Sequence, residues 1–202
     1  MAFRPELPKQ PDRIETERLV LRRFAAADAL AVARHMASRD MSWNLGRVPH
    51  PYSLDDARAF VERDADPHVE NHAVTLRDGT LIGSCGMFWR PPSPERPNEM
   101  PVVALGYWIG PDHWGRGFAP EAVAAKLFEH FARGGATVHA RAFQDNPRSL
   151  AVLRHAGFRM AGEDADTNMV REGEHPVWLT ECTAEDFRDA PWNRAVPREN
   201  AA

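Results

Sequence analysis

The chain has 202 residues, 43% hydrophobic and 27% charged, which fits one globular domain with a buried core and excludes a disordered or fibrous chain. Its net charge of −4 offers no broad attraction to a phosphate backbone, so no nucleic acid is expected as a main partner. No apolar run approaches the roughly 20 residues that cross a bilayer, and the start MAFRPELPKQPDR lacks the apolar centre of a signal peptide, so a cytoplasmic protein without membrane contact is expected.

Residues 1–13 read as a flexible lead-in, because Pro5, Pro8 and Pro11 punctuate them. ERLVLRRF, Glu17 to Phe24, has the apolar content of a strand. Asp28 then offers a cap or first-turn acid for a helix to about Ser38, with Leu30, Ala33, Met36 and Ala37 on its inner face. SLDD signals a second helix: Ser53 can cap its free amides, Asp56 stands at the capping-box position, and Ala57, Phe60 and Val61 supply the inner face. His72 to Leu76, the turn RDG and Thr80 to Trp89 form a hairpin, since Asp78 and Gly79 suit a tight turn. RPPSPERPN, Arg90 to Asn98, is a rigid loop, because proline withholds ladder donors.

VVALGYWIG, Val102 to Gly110, is too apolar on both faces to be a solvated edge strand. A helix from Pro120 to about Phe131 follows, with Val123, Ala124, Leu127, Phe128 and Phe131 in one stripe, ended by Gly134 and Gly135. TVHARAF is a strand, NPRSLAVLRHAG a helix stopped by Gly157, and His175 to Thr183 a last strand. The domain is thus expected over residues 14–183, with 184–202 as a loosely attached tail, in a mixed α/β fold. Cys85 and Cys182 fall in strands and read as buried thiols rather than a bridge. HVENH places His68 and His72 four apart, but it lacks the HExxH pattern and nearby cysteines, so no metal is expected.

HWGRGFAPEA, His113 to Ala122, stands where a strand hands over to a helix. Two glycines there serve either a tight turn or an anion, which free helix-terminal amides and the helix dipole would attract. A P-loop is excluded because no GK[ST] follows, and a dinucleotide fingerprint because position 120 is proline. In a helix's first turn Pro120 is well placed, although it cannot donate a hydrogen bond.

GYWIGPDHWGRGFAPEA resembles motif A of the GNAT N-acetyltransferases, in particular their RimJ/RimL-like branch. ETERLVLRRFAAADA is similar to that branch's opening strand and helix, and DNPRSLAVLRHAGFR to its second motif, so that three matches in order cover about residues 14–183. The resemblance implies a GNAT fold: a central mixed, mostly antiparallel twisted sheet with splayed central strands, flanked by about four helices. It implies acetyl-CoA as cosubstrate, its pyrophosphate held by the amides of Gly115, Arg116, Gly117, Phe118 and Ala119, with Glu121 contributing in place of Pro120. The backbone of Tyr107, Trp108 and Ile109 would face the pantetheine arm, together with Asn146, whose other reading is a helix cap. Trp114 departs from the motif's first polar position, which removes a side-chain contact there.

Acetyl transfer to an amine needs a neutral nitrogen, stabilisation of an oxyanion and a proton for the departing thiolate. The resemblance implies Ser149 beside the sulfur as proton donor, Leu153 standing where many relatives carry tyrosine. For the general base, Arg141 occupies the place of a glutamate found in relatives, which leaves Glu181, His72, His175 or a water chain. Trp43, Trp89, Tyr107 and the proline-rich loop are candidates for the acceptor pocket. The implied activity is direct transfer of acetyl to a primary amine, a protein N-terminus or a small molecule, with a homodimer compatible. The alternative is an acyl-CoA sensor without turnover.

Overall fold

The computed structural model describes residues 7–63, 68–92 and 100–191. In chain order its elements are β1 (Arg13–Glu15), β2 (Leu19–Arg22), α1 (Ala29–Met36), α2 (Arg39–Asn44), α3 (Leu54–Glu62), β3 (Val69–Leu76), β4 (Leu81–Arg90), β5 (Val102–Ile109), α4 (Phe118–Ala132), β6 (Val138–Phe143), α5 (Pro147–His155), β7 (Arg159–Asn168), β8 (Arg171–Cys182) and α6 (Ala184–Asp189). All eight strands form one sheet in the order β1-β2-β3-β4-β5-β6-β8-β7. Every neighbouring pair is antiparallel except β5 and β6. Among the described residues six helices stand where about four were expected, the two extra being the six-residue α2 and α6.

The sheet separates two apolar layers. Phe118, Val123 and Leu127 of α4, Leu153 of α5 and Phe187 of α6 pack on one face with Val103, Leu105 and Ile109 of β5. Ala29, Val32 and Met36 of α1 and Ala57 and Val61 of α3 pack on the other with Trp108. Alternation along β5 therefore decides which residue meets which layer. Cys85 and Cys182 are free thiols within the first layer.

The pairing of β5 sets the geometry of the cleft. β5 pairs with β4 along its whole length, from Val102 to Ile109, but with β6 only at Val103↔Val138 and Ala104↔His139. Beyond that point the two parallel strands part, which is the splay the resemblance implied. The Gly110 amide donates to the Ile82 carbonyl at 2.8 Å, and the register alternates from there. Trp108 thus directs its backbone groups to β4, whereas Leu105, Tyr107 and Ile109 direct theirs into the gap.

Local signals account for several elements. Ser53 accepts from the Asp56 amide and Asp56 from the Ser53 amide, the expected capping box, worth about 1 kcal/mol. Gly79 takes φ +89° in the hairpin turn between β3 and β4. The inner face of α1 differs from the expected one: Ala29, Val32 and Met36 are buried while Leu30 is 52% exposed. Asp28 does not cap this helix; its carboxylate is drawn into a bidentate pair with Arg22 at 2.7 and 2.8 Å, and a 3-10 turn over Ala26–Asp28 resets the phase. α4 is buried nearly all round rather than along one stripe, with Glu121, Lys126, Glu129 and His130 buried as well.

The expected domain edges are packed too. Leu7 lies against the core and Gln10 is buried, and α6 carries a Thr183 capping box, the buried Phe187 and an Asp186 pair with Arg159 at 2.8 Å. β7 has no counterpart in the sequence reading, because RMAGEDADTN has neither alternation nor apolar content; its partner β8 holds it at the sheet edge. Residues 93–98 of the proline-rich loop lie outside the described residues.

Candidate active site

From Gly110 the chain makes a 3-10 turn (Pro111–His113) and then enters α4. Gly115 at φ +72° and Gly117 at φ +77° hold the left-handed conformation that this bend needs and that other residues adopt only under strain. The result is a run of outward amides. Among the described residues, the N–H groups of Gly115, Arg116, Gly117, Phe118 and Ala119 have no acceptor. Pro120 has no N–H, and the Glu121 amide is already spent on the Gly117 carbonyl at 3.4 Å. Glu121 therefore leaves the set of expected cofactor donors.

Its side chain has a different task, absent from the sequence reading. The buried Glu121 carboxylate accepts from Thr16 Oγ1 at 2.5 Å, the Arg18 amide at 3.0 Å and Arg18 Nε at 2.7 Å. Arg18 in turn donates from Nη1 to the Arg116 carbonyl at 2.8 Å, and its guanidinium lies 4.9 Å from the Phe118 ring centre. A Cβ on Gly117 would stand 3.2 Å from Arg18 Nη2. Arg18 thus braces the loop from β2, with Glu121 fixing the brace. No spacing rule links positions 18 and 121, so only the fold brings them together.

Trp114 explains its own departure from the polar motif. Its Nε1 donates to the Ile109 carbonyl at 2.6 Å, which closes the loop back on β5 and consumes one of the groups facing the gap. The Arg148 guanidinium lies 5.5 Å from the Trp114 ring centre, bringing the first turn of α5 beside the loop. His113, on the same turn, has a depressed pKa, first through burial and then through His35 and Arg116. The loop therefore presents backbone dipoles and arginine charge together.

Across the gap, Asn146 caps α5, its Oδ1 accepting from the Ser149 amide at 3.1 Å. The cap reading of Asn146 is thereby realised, and its Nδ2 end is left for a ligand. Ser149 is met by Tyr107: the phenol oxygen lies 2.9 Å from Ser149 Oγ and 3.1 Å from the Ser149 carbonyl. Burial raises the Tyr107 pKa well above its ordinary value, more than the Ser149 hydrogen bond lowers it. Trp108, on the opposite face, packs against His35 and Phe60 instead, with ring centres 5.9 and 6.4 Å away.

The remaining candidates are scattered. Trp43 is tied to the β7–β8 hairpin: its carbonyl accepts from Arg171 Nε at 2.9 Å and Nη2 at 2.6 Å, and Asn168 Nδ2 donates to the carbonyls of Ser42, Trp43 and Leu45. The Arg171 guanidinium lies 4.4 Å from the ring centres of both Trp43 and Phe143, and Nη1 pairs with Asp145 at 2.9 Å. Phe143 and Asp145 lead directly into α5, so this clasp adjoins Ser149. Trp89 does not join it: it pairs with Val103 at the closed end of the splay, and alternation along β4 puts it on the α4 face.

The base candidates separate as well. His72 is buried, with Nε2 donating to the Pro11 carbonyl at 2.8 Å and Nδ1 accepting from Lys126 Nζ at 2.8 Å, so both nitrogens are committed. Burial is the main cause that takes its pKa from 6.5 to about 3. Glu181 pairs with His139, four strand residues before Phe143, which puts it roughly 13 Å along the sheet from the α5 end. His175 is the one beside the clasp, edge-on to Phe143 at 6.3 Å. Arg141 is engaged by Asp164 at 3.1 Å and Asp166 at 3.2 Å.

The chain is similar to known proteins. A family model described as an acetyltransferase (GNAT) domain matches residues 18–159. A Bacillus subtilis (strain 168) protein described as an uncharacterized N-acetyltransferase, YoaA, is 28% identical over 155 residues, 74% of this chain and 84% of that one. Among solved structures, Mycobacterium smegmatis RimJ in complex with CoA-disulfide aligns with TM-score 0.72 at 19% identity, over 93% of each chain. The microcin C7 self-immunity acetyltransferase MccE, in complex with acetyl-CoA and AMP, aligns with TM-score 0.69 at 13% identity, over 82% of this chain and 92% of that one.

Proposed function

The chain belongs to the acetyltransferase (GNAT) family, and on that premise we propose that it moves an acetyl group from acetyl-CoA to a primary amine by direct transfer in a ternary complex. The observation that carries this reading is the run of five unpaired amides, Gly115 to Ala119, at the open end of the β5–β6 splay. Five consecutive amides without acceptors at a helix N-terminus suit a pyrophosphate, and no side chain blocks the approach at Gly115, where a Cβ would meet nothing within 4 Å. Acetyl-CoA supplies an activated thioester. Everything else falls to the protein.

The loop and its Arg18 brace would hold the phosphates. The Tyr107 and Ile109 amides, directed into the gap, would hold the extended arm as a missing strand would, and present a donor where the oxyanion develops. A C–N bond forms and the C–S bond breaks; the nitrogen loses one proton and the sulfur gains one. Ser149 would deliver the latter, regaining its own from water. The former passes to solvent or to His175, while Glu181 lies too far along the sheet to be assigned a step. Cys85 and Cys182 are both buried, and burial is the main cause that pushes each thiol up to about 12, so neither offers a covalent route.

Trp43 and the Arg171 clasp would form the acceptor wall. An amine entering there sheds water, which favours its neutral, reactive form. The test is release of CoA thiol from acetyl-CoA over a panel of small primary amines and N-terminal peptides, on the wild type and Ser149→Ala. Amine-dependent release, slowed at least tenfold in Ser149→Ala, is expected. Tight acetyl-CoA binding without release on any amine would favour the acyl-CoA sensor instead.

A further inference from the structure

We infer that Tyr107 is a positioning residue for Ser149: its phenol, 2.9 Å from Ser149 Oγ across the gap between β5 and α5, sets the direction in which the serine hydroxyl points. This inference rests on the reading of Ser149 as the donor to the departing sulfur. Tyr107 shares a face of β5 with Val103, Leu105 and Ile109, toward α4 and α5, at a level where β5 and β6 have already parted. Its hydroxyl reaches the one polar side chain on α5 that the chemistry needs.

A phenol carries one proton and has two neighbours here, the Ser149 carbonyl at 3.1 Å and the Ser149 oxygen at 2.9 Å. If the phenol donates to the carbonyl, the serine proton must fill the other contact and is turned inward. If it donates to Oγ, the serine proton is released toward the cleft, and the donated hydrogen bond polarises the serine into a better donor. Either way Tyr107 governs the rotor. Without the phenol, a serine in the first turn of a helix falls back on nearby backbone carbonyls, and its proton is no longer aimed.

Burial holds the phenol neutral, since its pKa is raised. The phenol hydroxyl is engaged by the Ser149 carbonyl and Oγ, so Tyr107 orients the group that faces the sulfur. Phenylalanine keeps the ring and its packing, so Tyr107→Phe isolates the hydroxyl.

The experiment measures kcat and KM for thiol release from pH 6.5 to 9.5 in wild type, Tyr107→Phe, Ser149→Ala and the double variant, with acetyl-CoA affinity and melting temperature as checks on folding. We expect Tyr107→Phe to lose roughly tenfold in kcat at pH 7, the scale of one hydrogen bond, with KM for acetyl-CoA within about twofold. The defect should shrink above pH ~8.5, where a thiol departs without needing a proton. The double variant should be no slower than Ser149→Ala, because Tyr107 acts through Ser149. Wild-type kcat in Tyr107→Phe, a loss that ignores pH, or defects that multiply in the double variant would each overturn the inference. Wild-type kcat in Ser149→Ala would instead remove the donor assignment itself, and the inference with it.

Discussion

The two walls of the splayed gap are built in opposite ways. The loop wall is one continuous stretch, Gly110 to Glu121, whose working groups are backbone amides fixed by two glycines in the left-handed region. The clasp wall draws on three separate segments, Ser42 to Leu45, Phe143 to Asp145 and Asn168 to Arg171, held by side chains that reach for distant carbonyls. A backbone site needs only the right turn, so its sequence is short and legible. A side-chain site is encoded in residues that have no reason to be near one another until the chain folds.

That difference predicts how each wall fails. Gly117→Val should cause the largest change: a β-branched residue at φ +77° costs about 1–3 kcal/mol in strain and meets the Arg18 guanidinium, so the amides turn away. Calorimetry should show acetyl-CoA affinity reduced at least ~100-fold, at ~1.4 kcal/mol per tenfold. An unchanged affinity would remove the loop from the cofactor site.

Arg171→Ala should break the other wall. It removes two donor groups from the Trp43 carbonyl, which keeps Asn168 Nδ2, and the partner of the half-exposed Asp145 carboxylate, at a cost of about 3 kcal/mol in urea unfolding for the lost charge-assisted hydrogen bonds. Acetyl-CoA affinity should stay within about twofold of wild type while the acceptor KM rises. If the acceptor KM does not move, the clasp is scaffold only.

Acid should then separate the walls by a smaller margin. His72 is held neutral behind the loop helix, and its pKa is lowered from 6.5 to about 3 by burial, then by Lys126 and Arg23, against the opposing hydrogen bond to Pro11. The folded state thus binds this proton less readily than the unfolded one. The His72 contribution is complete above pH 6.5 and is lost as the pH falls toward 3, amounting to about 2 kcal/mol by pH 5. Urea unfolding at pH 7 and pH 5 should show that loss, and His72→Gln should flatten it. An equal slope in both proteins would mean that other groups set the acid response.

The contrast between the walls also marks what the sequence made legible. The strand–loop–helix with its glycines, the Ser53 capping box and the Asn146 cap were readable because each is settled within a few residues. The splay followed only from the resemblance. Arg18 with Glu121, Lys126 with His72, and Arg171 with Asp145 were not readable, since each joins residues brought together only by the sheet. Trp89 and Trp43 are both tryptophans near expected pocket segments, yet alternation along β4 sends Trp89 to the other face. β7 is illegible for a related reason: an edge strand kept charged against further pairing lacks the apolar rhythm of a strand.

The most direct measurement follows the backbone amide resonances as acetyl-CoA is titrated into the wild-type protein. The account predicts large shifts at Gly115, Arg116, Gly117, Phe118 and Ala119, a smaller one at Glu121, whose amide is committed to the Gly117 carbonyl, and little change at Arg171. Saturable binding that leaves the five loop amides unmoved would contradict it.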